Sequence, residues 1–329
     1  MHILSSMTRA VRAAFLSSAV ILGVLGASVS TPVLADAPMV KTQAPGYFRL
    51  MVGDFEVTAV SDGTVLLPMD QLLHQPAAKT KAAITKAHLT LPTETSVNAY
   101  LVNTGSKLVL VDAGAGALFG PTLGKLVDNI RAAGFTPEQV DDIVITHLHP
   151  DHIGGVAAQG SLVFPNATVH ADKRESDYWL SQSRMDAAPK ASQGFFQGAM
   201  ASLNPYIAAG KYKPFEADGD IVPGVRSVAA HGHTEGHTLY AVESKGQKLL
   251  LMGDLIHVGA VQFDHPGVTI AFDTDEPRAA KARAKVFAQA AKDGTLMGAS
   301  HLQFPGLGYL QAAGKGYRWI PVNYGTLLK

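Results

Sequence analysis

The chain has 329 residues, with 27 basic residues balancing 27 acidic ones, and no cysteine. A hydrophobic share of 47% excludes disorder over most of its length, and a charged fraction of 16%, below the roughly 25% of an average chain, points to a large buried core. Zero net charge argues against a dedicated nucleic-acid binder, and the missing cysteines remove disulfides, thiolate metal sites and thiol nucleophiles together, leaving nitrogen and oxygen ligands for any chemistry.

The first segment reads as targeting. Arg9 and Arg12 precede an uncharged run from Ala13 to Val29, and Val33-Leu34-Ala35 has the small residues of a signal peptidase site. No basic stop-transfer cluster follows, so a membrane anchor is the lesser alternative. The pattern predicts a cleaved signal over residues 1–35 and a single domain over 36–329. The mature form would be secreted or periplasmic, without membrane association.

Along the mature chain, Tyr47–Val52 and Phe55–Val60 alternate apolar and polar residues around a Gly53-Asp54 hairpin turn. Val97–Val102 and Lys107–Val111 repeat the pattern around Asn103-Thr104-Gly105. Pro121–Ala133 has helical spacing and stops at Gly134, and Thr136-Pro137-Glu138 reads as a helix start. Asp142–Thr146 is a short apolar strand. Lys173–Ser181 and Gly194–Ala209 predict helices, then Val225–Ala229, Thr238–Glu243 and Lys248–Met252 predict strands. Glu276–Lys292 is an Ala-rich helix closed by Gly294. Strands mixed with helices in two halves, with no linker, fit an α/β four-layered αβ/βα sandwich.

The strand at Asp142–Thr146 runs into His147-Leu148-His149-Pro150-Asp151-His152. In extended chain His147 and His149 point the same way, and Asp151 and His152 sit where the chain turns before Gly154-Gly155. Three imidazoles and a carboxylate so close together suit Zn²⁺, with Mn²⁺, Co²⁺ or Fe²⁺ as lesser fits.

His-x-His-x-Asp-His resembles the signature of the metallo-β-lactamase superfamily, and the superfamily's later ligand motifs follow in order. Gly232-His233-Thr234 stands for the second, Gly253-Asp254 for the third, and His301 for the last, while Val111-Asp112-Ala113-Gly114 resembles a shared structural turn. This resemblance implies the metallo-β-lactamase fold and two divalent metal ions, most simply Zn²⁺. His147, His149 and His233 would hold one ion, Asp151, His152 and His301 the other, and Asp254 would bridge them. Two cations about 3.5–4 Å apart share a water and lower its pKa toward roughly 7, giving a bridging hydroxide. Asp254 and Asp151 are then the candidate catalytic carboxylates, Asp151 as one source of the leaving-group proton.

Gly53-Asp54-Phe55-Glu56, Gly198–Asn204, Val261-Gln262-Phe263-Asp264 and Tyr317–Tyr324 resemble the subfamily of methyl parathion hydrolase and the related secreted, dihydrocoumarin-type lactonases. The aromatic set Phe119, Trp179, Phe195 and Phe196 does so too, and implies a pocket for flat aromatic substrates. The phosphotriesterase members differ at pocket positions: they carry Leu where His257 stands, Arg in place of Leu72, smaller residues at Ile270 and Phe272, and one extra residue before Phe195. These departures favour the opening of aromatic lactones or aryl esters, with His257 contacting substrate. Organophosphate triester hydrolysis is the alternative, and a non-catalytic metal-binding protein the alternative of another class, although seven ligands for two metals leave positions open that a structural site would close.

Without cysteine, the thiolate-dependent β-lactamases are excluded. His237, four residues after His233, is a candidate to orient a ligand from outside the metal sphere, or else a core histidine. His231 has the same two readings, while His74, His88, His170 and His265 read as ordinary polar residues. The partners implied are a small aromatic lactone, ester or phosphotriester and no nucleic acid; a homodimer is compatible with this reading.

Overall fold

Two seven-stranded sheets pack face to face. The computed structural model describes residues 37–328, so the predicted signal segment lies outside the described residues. In chain order the strands are β1 (Tyr47–Val52), β2 (Phe55–Leu67), β3 (Thr93–Asn103), β4 (Leu108–Val111), β5 (Asp142–Val144), β6 (Ala157–Ala158), β7 (Ser161–Leu162), β8 (Thr168–Asp172) and β9 (Tyr212–Phe215). There follow β10 (Gly219–Val222), β11 (Val225–Ala229), β12 (Thr238–Ser244), β13 (Gln247–Leu251), β14 (Leu296–Gly298), β15 (Leu307–Ala313) and β16 (Gly316–Pro321). The first sheet has the order β1-β2-β3-β4-β5-β8-β9, antiparallel to β4 and parallel beyond it. The second runs from β10 to β16 in sequence order, antiparallel except for the parallel β13–β14 pair. β6 and β7 form a separate ribbon.

The period of two along the strands sorts the core into layers. Tyr100 and Val102 of β3, with Val109 and Val111 of β4, face Tyr240 and Val242 of β12 and Leu249 and Leu251 of β13 across the inter-sheet core. Leu101 and Leu110 point the other way, packing with Ile130, Leu203 and Tyr206 from helices Leu126–Ala132 and Lys190–Ala208. Helix Glu276–Asp293 covers the outer face of the second sheet, setting Phe287 and Ala290 against Leu239 and Met297. These are the four layers the sequence predicts. The helix starts where Asp275 accepts the N–H of Arg278 at 3.1 Å and ends on left-handed Gly294, close to its predicted bounds.

Other elements depart from expectation for identifiable reasons. β2 does not stop at Val60 but bulges between Ser61 and Gly63 and continues to Leu67. The bulge turns Asp62 inward, where its carboxylate accepts the N–H groups of Ala115, Gly124 and Leu126 at 2.9, 3.1 and 3.0 Å. The helix predicted from Pro121 therefore begins only at Leu126, because Gly124 is left-handed (φ 78°) and the first N–H groups are met by Asp62. The helix predicted from Gly194 starts earlier, at Lys190 after Pro189, and the short helices Met69–Leu72 and Ala77–Lys86 carry too weak a pattern to be read. Those two pack on a satellite core of Met69, Leu73, Ile84, Val258, Val261 and Ile270.

Because Asp62 meets three main-chain donors at once, its loss leaves them unpaired, and each buried unpaired group costs about 1–3 kcal/mol. Asp62→Ala is expected to lower the unfolding free energy by about 2–5 kcal/mol in denaturant titration. A change under about 0.5 kcal/mol, ordinary for a surface substitution, would show that this carboxylate does not hold the loop.

Candidate metal centre

Every motif residue sits just past a strand end. His147 and His149 follow β5, and Asp151 and His152 open the short helix Pro150–Ile153. His233 lies between β11 and β12, Asp254 follows β13, and His301 follows β14. Parallel pairing of β13 with β14 puts the last two at the same end of the sheet. The two sheets are stitched together beside them: Thr238 N–H donates to the Thr146 carbonyl at 2.9 Å, the Tyr240 hydroxyl to the Ile145 carbonyl at 2.8 Å, and Asn98 N–H to the Ser300 carbonyl at 2.9 Å.

All seven predicted ligands converge. Donor atoms of His147, His149, His233 and Asp254 lie within 4.8 Å of one another, as do those of Asp151, His152 and His301. Asp254 stands between the groups: one carboxylate oxygen is 3.1 Å from Nε2 of His152 and of His301, the other 3.3 Å from Nε2 of His233 and 3.6 Å from that of His147. His149 Nδ1 is 3.2 Å from His233 Nε2.

The donor set asks for cations. His147 Nε2, His152 Nε2 and one oxygen of Asp254 are buried without a hydrogen-bond partner, a costly state that a metal ion would relieve. Burial holds His147 and His149 well below the usual histidine range, which keeps them neutral as ligands must be. Burial alone would raise Asp254, but His152, His301, His257 and His147 around it hold its carboxyl well below the usual range. At His233 burial is outweighed by the carboxylates of Asp254 and Asp273, which lift the ring to about 9. A buried cluster in which carboxylates pull protons onto neighbouring imidazoles is one that lacks positive charge, and two divalent ions would supply it.

The outer nitrogens of the ligands are held by partners that sequence reasoning largely missed. Asp112 accepts from Thr146 N–H at 2.8 Å and from its hydroxyl at 2.9 Å, and meets His152 Nδ1 at 2.8 Å, so the predicted structural turn directly orients one ligand. His233 Nδ1 meets Asp273 at 2.8 Å, His301 Nδ1 meets the Ser96 carbonyl at 2.9 Å, and His147 Nδ1 meets the Thr146 hydroxyl at 3.0 Å. Thr146 and Asp112 lay in view beside the motif; no local signal marks Asp273 or Ser96. His237 accepts the main-chain N–H of Asp254 at 3.1 Å and lies near the Ala230 carbonyl at 3.2 Å, and burial pushes its pKa down to about 3. It therefore holds the backbone of the predicted bridging residue and hydrogen-bonds to no predicted ligand ring, although its ring packs 5.3 Å from that of His147. Left-handed Gly253 makes room for this, since a Cβ there would come within 2.8 Å of His237 Nε2. His231 lies apart, beside Asp172 and Arg278.

Above the cluster, Phe119, Phe195, Phe272, Leu67 and Leu123 wall a small cavity of about 70 Å³ whose floor is Asp151, Asp254, His257 and His301. His257 Nε2 is 3.1 Å from Asp254, nearer than a purely substrate-contacting residue needs to be, and Asp254, His257 and His301 form a third cluster of metal-ligand type. Trp179 stands behind His149, ring centroids 5.1 Å apart, and Phe196 lies deeper, packed on Trp179 and Tyr178 in the helical core. Leu72 and Ile270 belong to the satellite core behind Phe272 and not to the cavity wall.

The family model of the metallo-β-lactamase superfamily matches residues 92–301, and the chain belongs to that superfamily. Within it, the chain is a metal-dependent hydrolase whose histidine and aspartate clusters fit a dinuclear site, with lactonases among its relatives. The hydrolase AbOPH of the β-lactamase superfamily is 37% identical, with a TM-score of 0.82 over 86% of this chain and 100% of its own. AidC, a dizinc quorum-quenching lactonase solved with the product N-hexanoyl-L-homoserine, is 28% identical, with a TM-score of 0.78 over 85% and 99%. An N-acyl homoserine lactonase of Bacillus sp is 28% identical over 121 residues, 37% of this chain and 40% of that relative. The match thus spans about two-fifths of that relative's length.

Elemental analysis of the purified protein should approach two metals per chain, and chelation followed by Zn²⁺ or Mn²⁺ should abolish and restore activity. Asp254→Ala should lose at least one metal and nearly all turnover. His237→Ala should weaken metal binding by about 10–100-fold, as changes around metal ligands do. Wild-type metal content in Asp254→Ala would remove it from the bridging position.

Proposed function

We propose that this chain is a lactonase of broad carbonyl chemistry, favouring aromatic lactones and aryl esters over phosphotriesters. The observation that carries this is the cavity above Asp254: narrow, walled by Phe119, Phe195 and Phe272, with His257 as the polar group on its floor outside the predicted ligand set. A flat ring slides between aromatic faces, whereas a tetrahedral phosphotriester extends in all directions. The lactonase relatives support the reaction class.

His147, His149, His233, Asp151, His152 and His301 would hold two divalent ions, with Asp254 between them; bound there, such ions supply a hydroxide at neutral pH and polarise the substrate carbonyl. The protein's own groups do the rest. Phe119, half exposed at the mouth, and Phe195 clamp the ring and exclude water. Burial pushes His257 down to about 4, so its imidazole is neutral and carries one N–H, which can serve Asp254, 3.1 Å from Nε2, or turn to the ring oxygen of a lactone, but not both at once. Asp151, part-exposed on the cavity floor, is placed to protonate a poor leaving group, while an aryl oxide with a pKa of about 10 needs little help. From the charge and apolar pattern before residue 36 we further propose that the enzyme acts after export.

A panel of an aryl lactone, an acyl-homoserine lactone, an aryl ester and an aryl phosphotriester tests this reading. The lactone and ester should be turned over fastest. His257→Leu should lower lactonase and raise phosphotriesterase activity, each by about 10–200-fold, the worth of one polar contact or one methylene of misfit. Faster phosphotriester turnover by the wild type, or an unchanged ratio in His257→Leu, would transfer the assignment to organophosphates.

A further inference from the structure

Four of the five ligand histidines that surround Asp254 or His149 have an outer ring nitrogen hydrogen-bonded to the protein: His147 to Thr146, His152 to Asp112, His233 to Asp273 and His301 to Ser96. Among the described residues, His149 has only the 3.2 Å approach of its Nδ1 to His233. Something else must fix its direction. Directly behind it runs helix Lys173–Trp179, begun where Asp172 accepts the N–H of Arg174 at 2.8 Å. Glu175 and Trp179, one turn apart, share a face of this helix.

Glu175 is fully buried, and its two oxygens reach into two different loops. One accepts the N–H of Leu148 at 2.9 Å, the residue between His147 and His149; the other accepts the N–H of Gly236 at 2.6 Å, three residues after His233. Trp179, on the same face, packs edge-on against the His149 ring, with an interplanar angle of 72°. The three histidines of one predicted metal triad come from sequence positions more than eighty residues apart, and this carboxylate is a direct bond between the loops that carry them. Asp112 and Ser96 serve His152 and His301, in the other triad.

We propose that Glu175 is a positioning residue for one metal: it staples the two ligand loops and thereby sets the spacing of His147, His149 and His233, with Trp179 fixing the rotation of His149. The inference rests on assigning those three histidines to one ion. A hydrogen-bonded group behind metal ligands is worth about 10–100-fold in metal affinity. The loss should fall mainly on one site, because Glu175 bonds beside His147, His149 and His233, whereas His152, further along the first of these loops, is held by Asp112 and His301 by the Ser96 carbonyl.

The test uses the holoprotein of wild type and Glu175→Gln, which keeps the size and one acceptor oxygen but turns an amide toward the other N–H. Metal content is followed through a competitive chelator titration, site occupancies come from anomalous diffraction, and circular dichroism reports the fold. The expected result is a folded variant that releases one metal at about 10–100-fold lower chelator concentration, with occupancy lost between His147, His149 and His233 and kept at the other triad. If Glu175→Gln does not accumulate as folded protein, Glu175→Asp, which keeps the charge and withdraws it by one methylene, is read the same way. Wild-type chelator resistance, equal loss from both sites, or failure of both variants to fold would overturn the proposal. Wild-type occupancy away from the three histidines would instead overturn the ligand assignment, and is seen separately.

Discussion

A buried carboxylate surrounded by imidazoles governs the architecture of this enzyme. Asp254 has almost no contact with solvent, and five histidine nitrogens lie within 3.6 Å of its oxygens. A lone ion in such a place would be prohibitively costly, and the group would take a proton. Here the neighbours reverse that tendency and hold it ionised. The same arrangement leaves Nε2 of His147, Nε2 of His152 and one Asp254 oxygen buried without a partner, a cost that cations between them would relieve. Folding of this region and metal binding would then be linked: an ion bound to the native state, and not to the unfolded chain, would add to stability.

The fold meets that constraint by bringing loop residues from both sheets to one edge of the sandwich. The predicted ligands come from four separate strand ends, two of them side by side because β13 and β14 are parallel. Such convergence would be imprecise if the sheets could slide. The bonds from Thr238, Tyr240 and Asn98 across to Thr146, Ile145 and Ser300 sit in the same layer as the ligands and prevent it. Arg283 plays a similar part for the loop after Asp254. Buried on helix Glu276–Asp293, it donates to the carbonyls of Leu255, Pro266 and Val268 and ties both ends of the His257 segment to the outer layer.

What could be read from the sequence follows from how local each feature is. Six residues from His147 to His152 carry four ligands, so their spacing speaks for itself, and β1 was legible to the residue because its alternation and turn are local. β2 was misread at Val60 because the bulge that carries Asp62 is stabilised by a loop more than fifty residues away. Asp273 and Ser96 were invisible for the same reason: their partners are 40 and 205 residues distant. Glu175 sat in a polar helical stretch, Lys-Arg-Glu-Ser-Asp, where nothing distinguishes a buried carboxylate from its exposed neighbours. The pocket residues were the hardest. Phe195 and Phe196 are adjacent and chemically identical, yet helix Lys190–Ala208 aims one at the cavity and the other into the core.

That contrast separates chemistry from specificity in physical terms. The predicted metal ligands hang from strand ends and are cross-braced by buried hydrogen bonds, so a substitution there disturbs several partners at once. The cavity walls hang from other supports: Phe195 from an outer helix, Phe119 from a loop between left-handed Gly116 and Gly120, and Phe272 from the satellite core of Met69, Leu73 and Ile270. None of these walls bonds to a ligand ring nitrogen. Leu72 and Ile270, which do not touch the cavity, can still move Phe272, because a packed cluster transmits a change of volume to its neighbours. His257 is the exception that joins the two halves, since it faces the cavity and leans on Asp254. A change there alters the shape available to substrate and the field at the bridging carboxylate together, whereas changes at Leu72 or Ile270 act on shape alone.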